Sequence, residues 1–384
     1  MFSLILRAVA TAVTLILAMD SSLADTAAPV KVVMTDSSTA PLAATKRVVI
    51  SSVMVSFQAS TGGEKTNTSG LFATKTDASA QLQMPEMDNK LLASIADEVY
   101  KRLTADLQAT GFEVLPESTV VGSAAYAKII KMAGISNFSK FANLDGDTVL
   151  VGPSGLKPYL PYNLETGKFN AQMKSLIKDW IGGFGQKSST EGGPSGISIG
   201  EIYGLPALEV ELAKELNAHV VKATYVVTLG AASATAKSSY AGNNRALGTT
   251  SFTNTYTGKA FAQVGLLAGQ SRIAFRTAGA STKGESPPGG YVANFGKNAS
   301  PAKDGNVVAS LAESLLGGSE FLSVAVPEVK QPSLLGGLMG GSFGSGADAQ
   351  FIYLATVSDP DAYRQEVLGM ITTAQRDMLA LVKQ

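Results

Sequence analysis

"DNKLLASIADEVYKRLTADLQATGFEVLP", residues 88–116, is the stretch that decides the fold. Leu92, Ile95, Ala96, Val99, Leu103 and Leu107 recur at helical spacing, so one face of a helix is apolar. Asp88 stands where it can cap the free N–H groups of the first turn, and Gly111 supplies a left-handed stop. "FEVLP" (112–116) then reads as a short strand. Upstream, "RVVISSVMVSF" (47–57) is rich in β-branched residues and short enough to be a buried strand. Strand, amphipathic helix, glycine and strand make a unit whose helix covers a sheet.

The unit returns in altered form. Pro206 reads as a helix start, Leu208, Leu212 and Leu216 share a face, and "AHVVKATYVVTL" (218–229) follows as a strand. His219, the only histidine, falls at the start of that strand, where a polar ring can stay partly solvated. At the C-terminus "QFIYLATV" (350–357) is a strand. Ser358-Asp359-Pro360 then opens a helix whose stripe is Tyr363, Val367, Met370, Ile371, Ala374, Met378 and Leu381. Such a stripe must be covered, either by the protein's own sheet or by a neighbour.

The expected class is α+β or α/β, a mixed sheet covered by amphipathic helices with a largely helical insertion. The core is expected over 46–116 and 205–384, with long loops at 58–87, 230–258 and 279–306. The insertion is 117–204. In it, 118–134 reads as a helix stopped by Gly134, and 166–185 as another, with Phe169, Met173, Ile177 and Trp180 in step. Later, 307–318 reads as a helix closed by Gly317, and 320–326 as a strand ended by Pro327.

Residues 1–24 read as a signal peptide. Arg7 precedes an apolar stretch from Ala8 to Met19, and Ser22-Leu23-Ala24 offers small residues where a signal peptidase reads, so cleavage is expected near Ala24. About 12 uncharged residues are too few to span a bilayer core of roughly 30 Å, and no later window supplies a transmembrane helix. Residues 25–45 read as an N-terminal tether, and the expected location is periplasmic or secreted.

Composition closes off several functions. Lys plus Arg and Asp plus Glu number 31 each, so bulk charge attracts neither nucleic acid nor an anionic membrane. With no cysteine there is no disulfide and no thiolate metal site, and one histidine makes zinc a poor fit. No cofactor is expected.

The segments "RVVISSVMVSF", "ASIADEVYKRLTADLQATGFEVLP" (93–116), "LAKELNAHVVKATYVVTL" (212–229) and "QSRIAFRT" (270–277) together resemble the periplasmic domain of the curli-secretion-channel family and the related TolB N-terminal-like domain. That resemblance implies an envelope protein working in secretion or assembly. Two features depart from it. The channel-forming members carry a lipidated N-terminal cysteine, absent here. Their barrel hairpins alternate apolar and polar residues, whereas 230–258 is rich in Ser, Thr and Gly and reads as a surface ribbon or loop.

Catalytic motifs mostly fail on context. "GGSFG" (340–344) has the G-x-S-x-G spacing around Ser342 but sits in a glycine-rich run leading into a strand. "SGLK" (154–157) contains Gly and precedes Pro158, so it is no helical S-x-x-K turn, and "GGEKT" (62–66) is half a phosphate loop. Asp145-Gly146-Asp147 lacks the downstream Glu of a calcium loop and reads as a turn. Tyr159 and Tyr162, in "KPYLPYN", form either a contact platform or a structural strap. Leu338, Met339 and Phe343, in the glycine-rich 334–346, either dock internally or insert into a partner. These five are the candidate interaction residues. The expected function is an exported, non-enzymatic component of an envelope or surface-structure assembly, binding an envelope protein or its own copies. The alternative is an exported hydrolase using two carboxylates.

Overall fold

The structure is a computed structural model. It describes residues 31–34, 42, 45–58, 60–69, 74–84, 87–143, 146–159, 199–244, 249–268, 271–279, 306–325, 328–330 and 349–383. Its strands are β1 (Val32–Met34), β2 (Arg47–Gln58), β3 (Ser60–Ser69), β4 (Thr74–Gln83), β5 (Glu113–Val114), β6 (Phe138–Asn143), β7 (Gly146–Val151) and β8 (His219–Asn244). They continue with β9 (Thr249–Leu266), β10 (Arg272–Arg276), β11 (Asn306–Leu311), β12 (Leu315–Leu316), β13 (Leu322–Val324), β14 (Glu328–Lys330) and β15 (Ala349–Val357). The helices are α1 (Asn89–Ala109), α2 (Glu117–Val121), α3 (Ala124–Ala133), α4 (Ile199–Leu216) and α5 (Pro360–Lys383). The class is α+β.

The main sheet runs β1-β11-β10-β8-β2-β7-β6, with β5 beside β2 and β9 beside β8. β2 and β8 are parallel, as two helix-strand units laid side by side require, and the other long pairings are antiparallel. Lys222 and Tyr225 of β8 point to opposite faces because strand side chains alternate. The Tyr225 hydroxyl donates to Gln375 Oε1 of α5 at 2.9 Å, and the Gln375 amide donates to Asp106 Oδ2 of α1 at 2.7 Å. Lys222 meets Glu209 of α4. So α1 and α5 cover one face and α4 the other.

Helix α1 follows its sequence closely. Asp88 accepts from Lys90 N at 2.9 Å, the six apolar positions are all buried, and Gly111 has φ +97°. The α5 stripe is buried on the protein's own sheet and α1, apart from half-buried Leu381. At the other face Glu215 of α4 accepts from Ala124 N at 3.0 Å and Ala125 N at 2.9 Å, which ties α3 to α4. Those N–H bonds, that from Ala125 first, hold its carboxyl below the usual range.

Several expectations change. The loop expected at 58–87 holds β3 and β4, a complete antiparallel hairpin from Ser60↔Gln83 to Ser69↔Thr74. The loop expected at 230–258 is the outer part of a hairpin in which β8 and β9 pair from Val227↔Leu266 to Asn244↔Thr249. The helix expected at 307–318 is instead β11 and β12, with Val307, Ala309 and Leu311 buried at a period of two. Helix α4 begins before Pro206 and runs through it. The tether contains β1, paired to β11 with Val33 opposite Ser310. Between 117 and 159 two short helices accompany a hairpin, β6–β7, that joins the main sheet; of the expected Asp/Gly turn, Gly146 and Asp147 begin β7 opposite Asn143 and Ala142, and Asp145 lies outside the described residues. The signal peptide, the helix expected at 166–185 and nearly all of the loop at 279–306 lie outside the described residues.

Candidate functional site

Two arrangements stand out, one on the surface and one buried. The first is the hairpin of β8 and β9. At its base β8 is flanked by β2 and β10. Beyond Val227 its only ladder partner among the described residues is β9. The outer edge of β9 is covered at its foot, where β12 pairs Leu316 with Gly265, Gly317 N donates to Val264 O at 2.8 Å and Val264 N to Gly318 O at 3.4 Å. From Thr249 to Ala262 that edge pairs with no other strand among the described residues. A strand edge with no neighbouring strand is a template for an added strand. Just above the covered foot, Phe261 is 56% exposed, and Leu316 beside Gly265 is 60% exposed.

The hairpin lies on a second sheet, β13-β15-β4-β3, with β14 beside β15. The contact is built from Ala78, Ala80 and Leu82 of β4, Ala234 of β8, and Ala349, Phe351, Tyr353 and Ala355 of β15, with Tyr256 and Ala260 of β9 packed beside them. Gly258 is required there: a Cβ would collide with the Phe351 ring and lie 2.7 Å from Tyr353 Oη.

The buried arrangement centres on Glu209, which is 0% exposed. Lys222 Nζ lies 2.7 Å from its Oε1, and Arg276 Nε of β10 lies 2.5 Å from its Oε2, the latter a charge contact off the angle of an aligned hydrogen bond. The Tyr159 hydroxyl donates to Glu209 Oε1 at 3.1 Å and sits 2.8 Å from Ser51 Oγ. Ser51 is the extra residue of a bulge where β2 shifts register against Val221 and Lys222, and its hydroxyl donates to Val221 O at 3.3 Å. Burial, and then the Glu209 charge, hold the Tyr159 phenol well above its usual range. One carboxylate between two cations is an ion-pair knot that joins α4 to the sheet. Acid-base glycoside chemistry needs instead two carboxylates facing a cleft. Among the described residues no group of three or more His, Asp or Glu stands where it could hold a metal ion, and no helix is long and apolar enough to cross a membrane.

Tyr159 is buried within the main core. Tyr162, Leu338, Met339, Phe343 and Ser342 lie outside the described residues. Ser154 and Lys157 sit on a turn where Ser154 bonds Asp97 of α1, and 62–66 lies within β3. His219 begins β8 opposite Val48 but is buried, not partly solvated. Its Nε2 is 2.9 Å from Thr45 O and 3.3 Å from Leu42 O, so the N–H belongs on Nε2, while Nδ1 has no hydrogen-bond partner among the described residues. The ring pins the end of the N-terminal lead onto the sheet.

Sequence reasoning missed Glu209, although a signal was present. It interrupts the apolar face Leu205, Leu212, Ala213 of α4, and a charge on a buried face needs partners. No protein-family model, no curated protein and no solved structure matches the chain.

Proposed function

We propose that the protein is an exported, non-enzymatic component of a bacterial envelope or surface-structure assembly system, and that it acts by pairing its β9 edge with a strand of an envelope protein or of a second copy. The observation that carries this reading is the open edge from Thr249 to Ala262 on a hairpin that outreaches the main sheet. Strand addition draws its affinity from main-chain hydrogen bonds and its specificity from alternate side chains. On this edge Thr257, Lys259 and Phe261 are exposed at alternate positions, which gives a polar approach ending in an aromatic anchor. The segments that resemble the curli-secretion-channel and TolB N-terminal-like domains fall on β2, α1–β5, α4–β8 and β10, and support a role in the envelope.

The test places a photo-crosslinking amino acid at Thr257 in cells, with exposed Gln365 of α5 as the control position. Irradiation is expected to give a discrete adduct from position 257, with an envelope protein or with a second copy, and none from 365. The same adduct pattern from both positions, or none from either, would remove the reading.

A further inference from the structure

β8 is one strand with two mechanical environments. From His219 to Val227 it is held on both sides and from above. β2 pairs with it along that length, β10 pairs with Val220–Thr224, and the Tyr225 hydroxyl bonds Gln375. Val226 N donates to Ser271 Oγ at 3.1 Å, and Leu267 N to Val226 O at 2.9 Å. At Thr228–Gly230 the ladder to β9 breaks register, with Gly230 opposite Ala262 where Thr228 stood opposite Gly265. Gly230 has φ +139°, a conformation closed to residues with a side chain, and a Cβ there would lie 2.9 Å from Ala262 Cα. Past this point the described ladder partner is β9 alone, and the side chains described on the face toward the second sheet are mostly alanines, with Leu82, Phe351, Tyr353 and Tyr256 among them.

We infer that the β8–β9 hairpin beyond Gly230 is a hinged arm, which swings off the β3–β4–β15 layer as a unit while the main sheet stays intact. A bulge interrupts the ladder and bends the strand, and a glycine restricts φ and ψ least, so a change of strand direction is absorbed most easily there. Each alanine at this contact buries little apolar area, so separating it costs less than opening the leucine-rich main core. The arm would expose the inner face that carries Tyr256 and Ala260, and it would free the β9 edge to reorient. This inference rests on the geometry of the hinge and not on the existence of a binding partner. Failure of the crosslinking experiment would leave it standing, and its own failure would leave the edge available in one fixed orientation.

Hydrogen exchange on the purified protein tests it. The amides of 231–262 should exchange as one group, at least about a hundredfold faster than those of 220–227, because sub-global opening releases a contiguous unit. Gly258→Val is a wedge under the Phe351 ring and should speed the arm's exchange roughly tenfold further, with 220–227 unchanged. As a second arm, Gly258→Cys with Phe351→Cys should form a disulfide once the two strands ease apart by about 1 Å, because a Cβ at 258 falls 2.8 Å from Phe351 Cβ and a disulfide spans about 3.5–4.5 Å; the chain has no other cysteine to compete. Oxidation should then slow the arm's exchange to within about a factor of ten of 220–227, and reduction should restore it. The hinge is wrong if 231–262 exchanges no faster than 220–227. It is equally wrong if exchange falls off gradually from the tip, insensitive to both the wedge and the disulfide, because that is fraying.

Discussion

Leu103 and Ala80 are buried to nearly the same degree, 0% and 2% exposed, yet they belong to cores of different strength. Around Leu103 the main core is filled by Leu, Ile, Val, Phe and Tyr from α1, α5 and both sides of the central strands. Around Ala80 the second core is, among the described residues, mostly alanine, with Leu82, Phe351 and Tyr353 as its large buried members. Apolar burial contributes about 25 cal/mol per Å², so a leucine side chain brings about 2 kcal/mol more than an exposed one and an alanine methyl well under half of that. Equal burial is therefore unequal stability. The first core holds the sheet together, and the second only positions a hairpin against its neighbour.

The largest effect is expected where the contrast is steepest. Ile371, at 1% exposure, lies in the middle of the α5 stripe against the sheet. Ile371→Asp places a carboxylate among the apolar side chains of the main core and should cost at least about 4 kcal/mol, most of the stability of a domain at the low end of the usual range of about 5–15 kcal/mol. Circular dichroism of the purified variant should show loss of the cooperative transition. A variant that melts like the parent would mean that the stripe is not part of the stabilising core, and the contrast drawn above would collapse.

The middle effect concerns pH and the base of β8. Burial lowers the His219 pKa below its ordinary value, against the opposing pull of the Leu42 and Thr45 carbonyls. The unfolded state then takes up the proton first. Stability contributed by the neutral ring is complete above the unfolded value of about 6.5 and falls as pH drops from there toward the folded value. The slope from this group cannot exceed about 1.4 kcal/mol per pH unit. Urea midpoints at pH 7.5 and 5.5 should differ, and His219→Gln should remove most of the difference, because its amide still donates to the same carbonyls but does not titrate. An unchanged difference in the variant would assign the pH dependence elsewhere.

The two cores also differ in how plainly they are written in the chain. The main core was legible because large apolar residues against polar ones leave a visible period: α1 and α5 show 3.6, and the β-branched run of β2 reads as a buried strand. The hairpins were not legible, since alanine facing inward against serine and threonine facing outward gives almost no contrast to detect. In β8, Ala232 and Ala234 face the second sheet while Ser233 and Thr235 do not, and that alternation is invisible on any hydropathy scale that rates alanine near neutral. β11 failed for another reason. "VVASL" satisfies both periods over five residues, and only the burial of 307, 309 and 311 decides between them. The Glu209 knot was readable in half: the charge on the buried helix face was visible, but Lys222 and Arg276 come from strands whose adjacency is a matter of sheet order.

The smallest effect is the most discriminating. Phe351 is one of the few large side chains described at the alanine-lined contact, packed over Gly258. Truncating a buried phenylalanine in a well-packed core costs about 3–5 kcal/mol, and Leu103→Ala in the main core should cost about 2–5. Phe351→Ala should nevertheless lower the global urea midpoint by the equivalent of about 1 kcal/mol or less, although the group removed is larger. The reason is a ceiling. A mutation can lower global stability only through contacts still present when the domain unfolds as a whole, and once the hairpin layer has separated on its own, further weakening of that contact no longer registers. The loss should appear instead as faster amide exchange across 231–262. A global cost for Phe351→Ala equal to or above that of Leu103→Ala would show that the two cores unfold together, and that the alanine contact is as much a part of the cooperative unit as the leucines beneath α1.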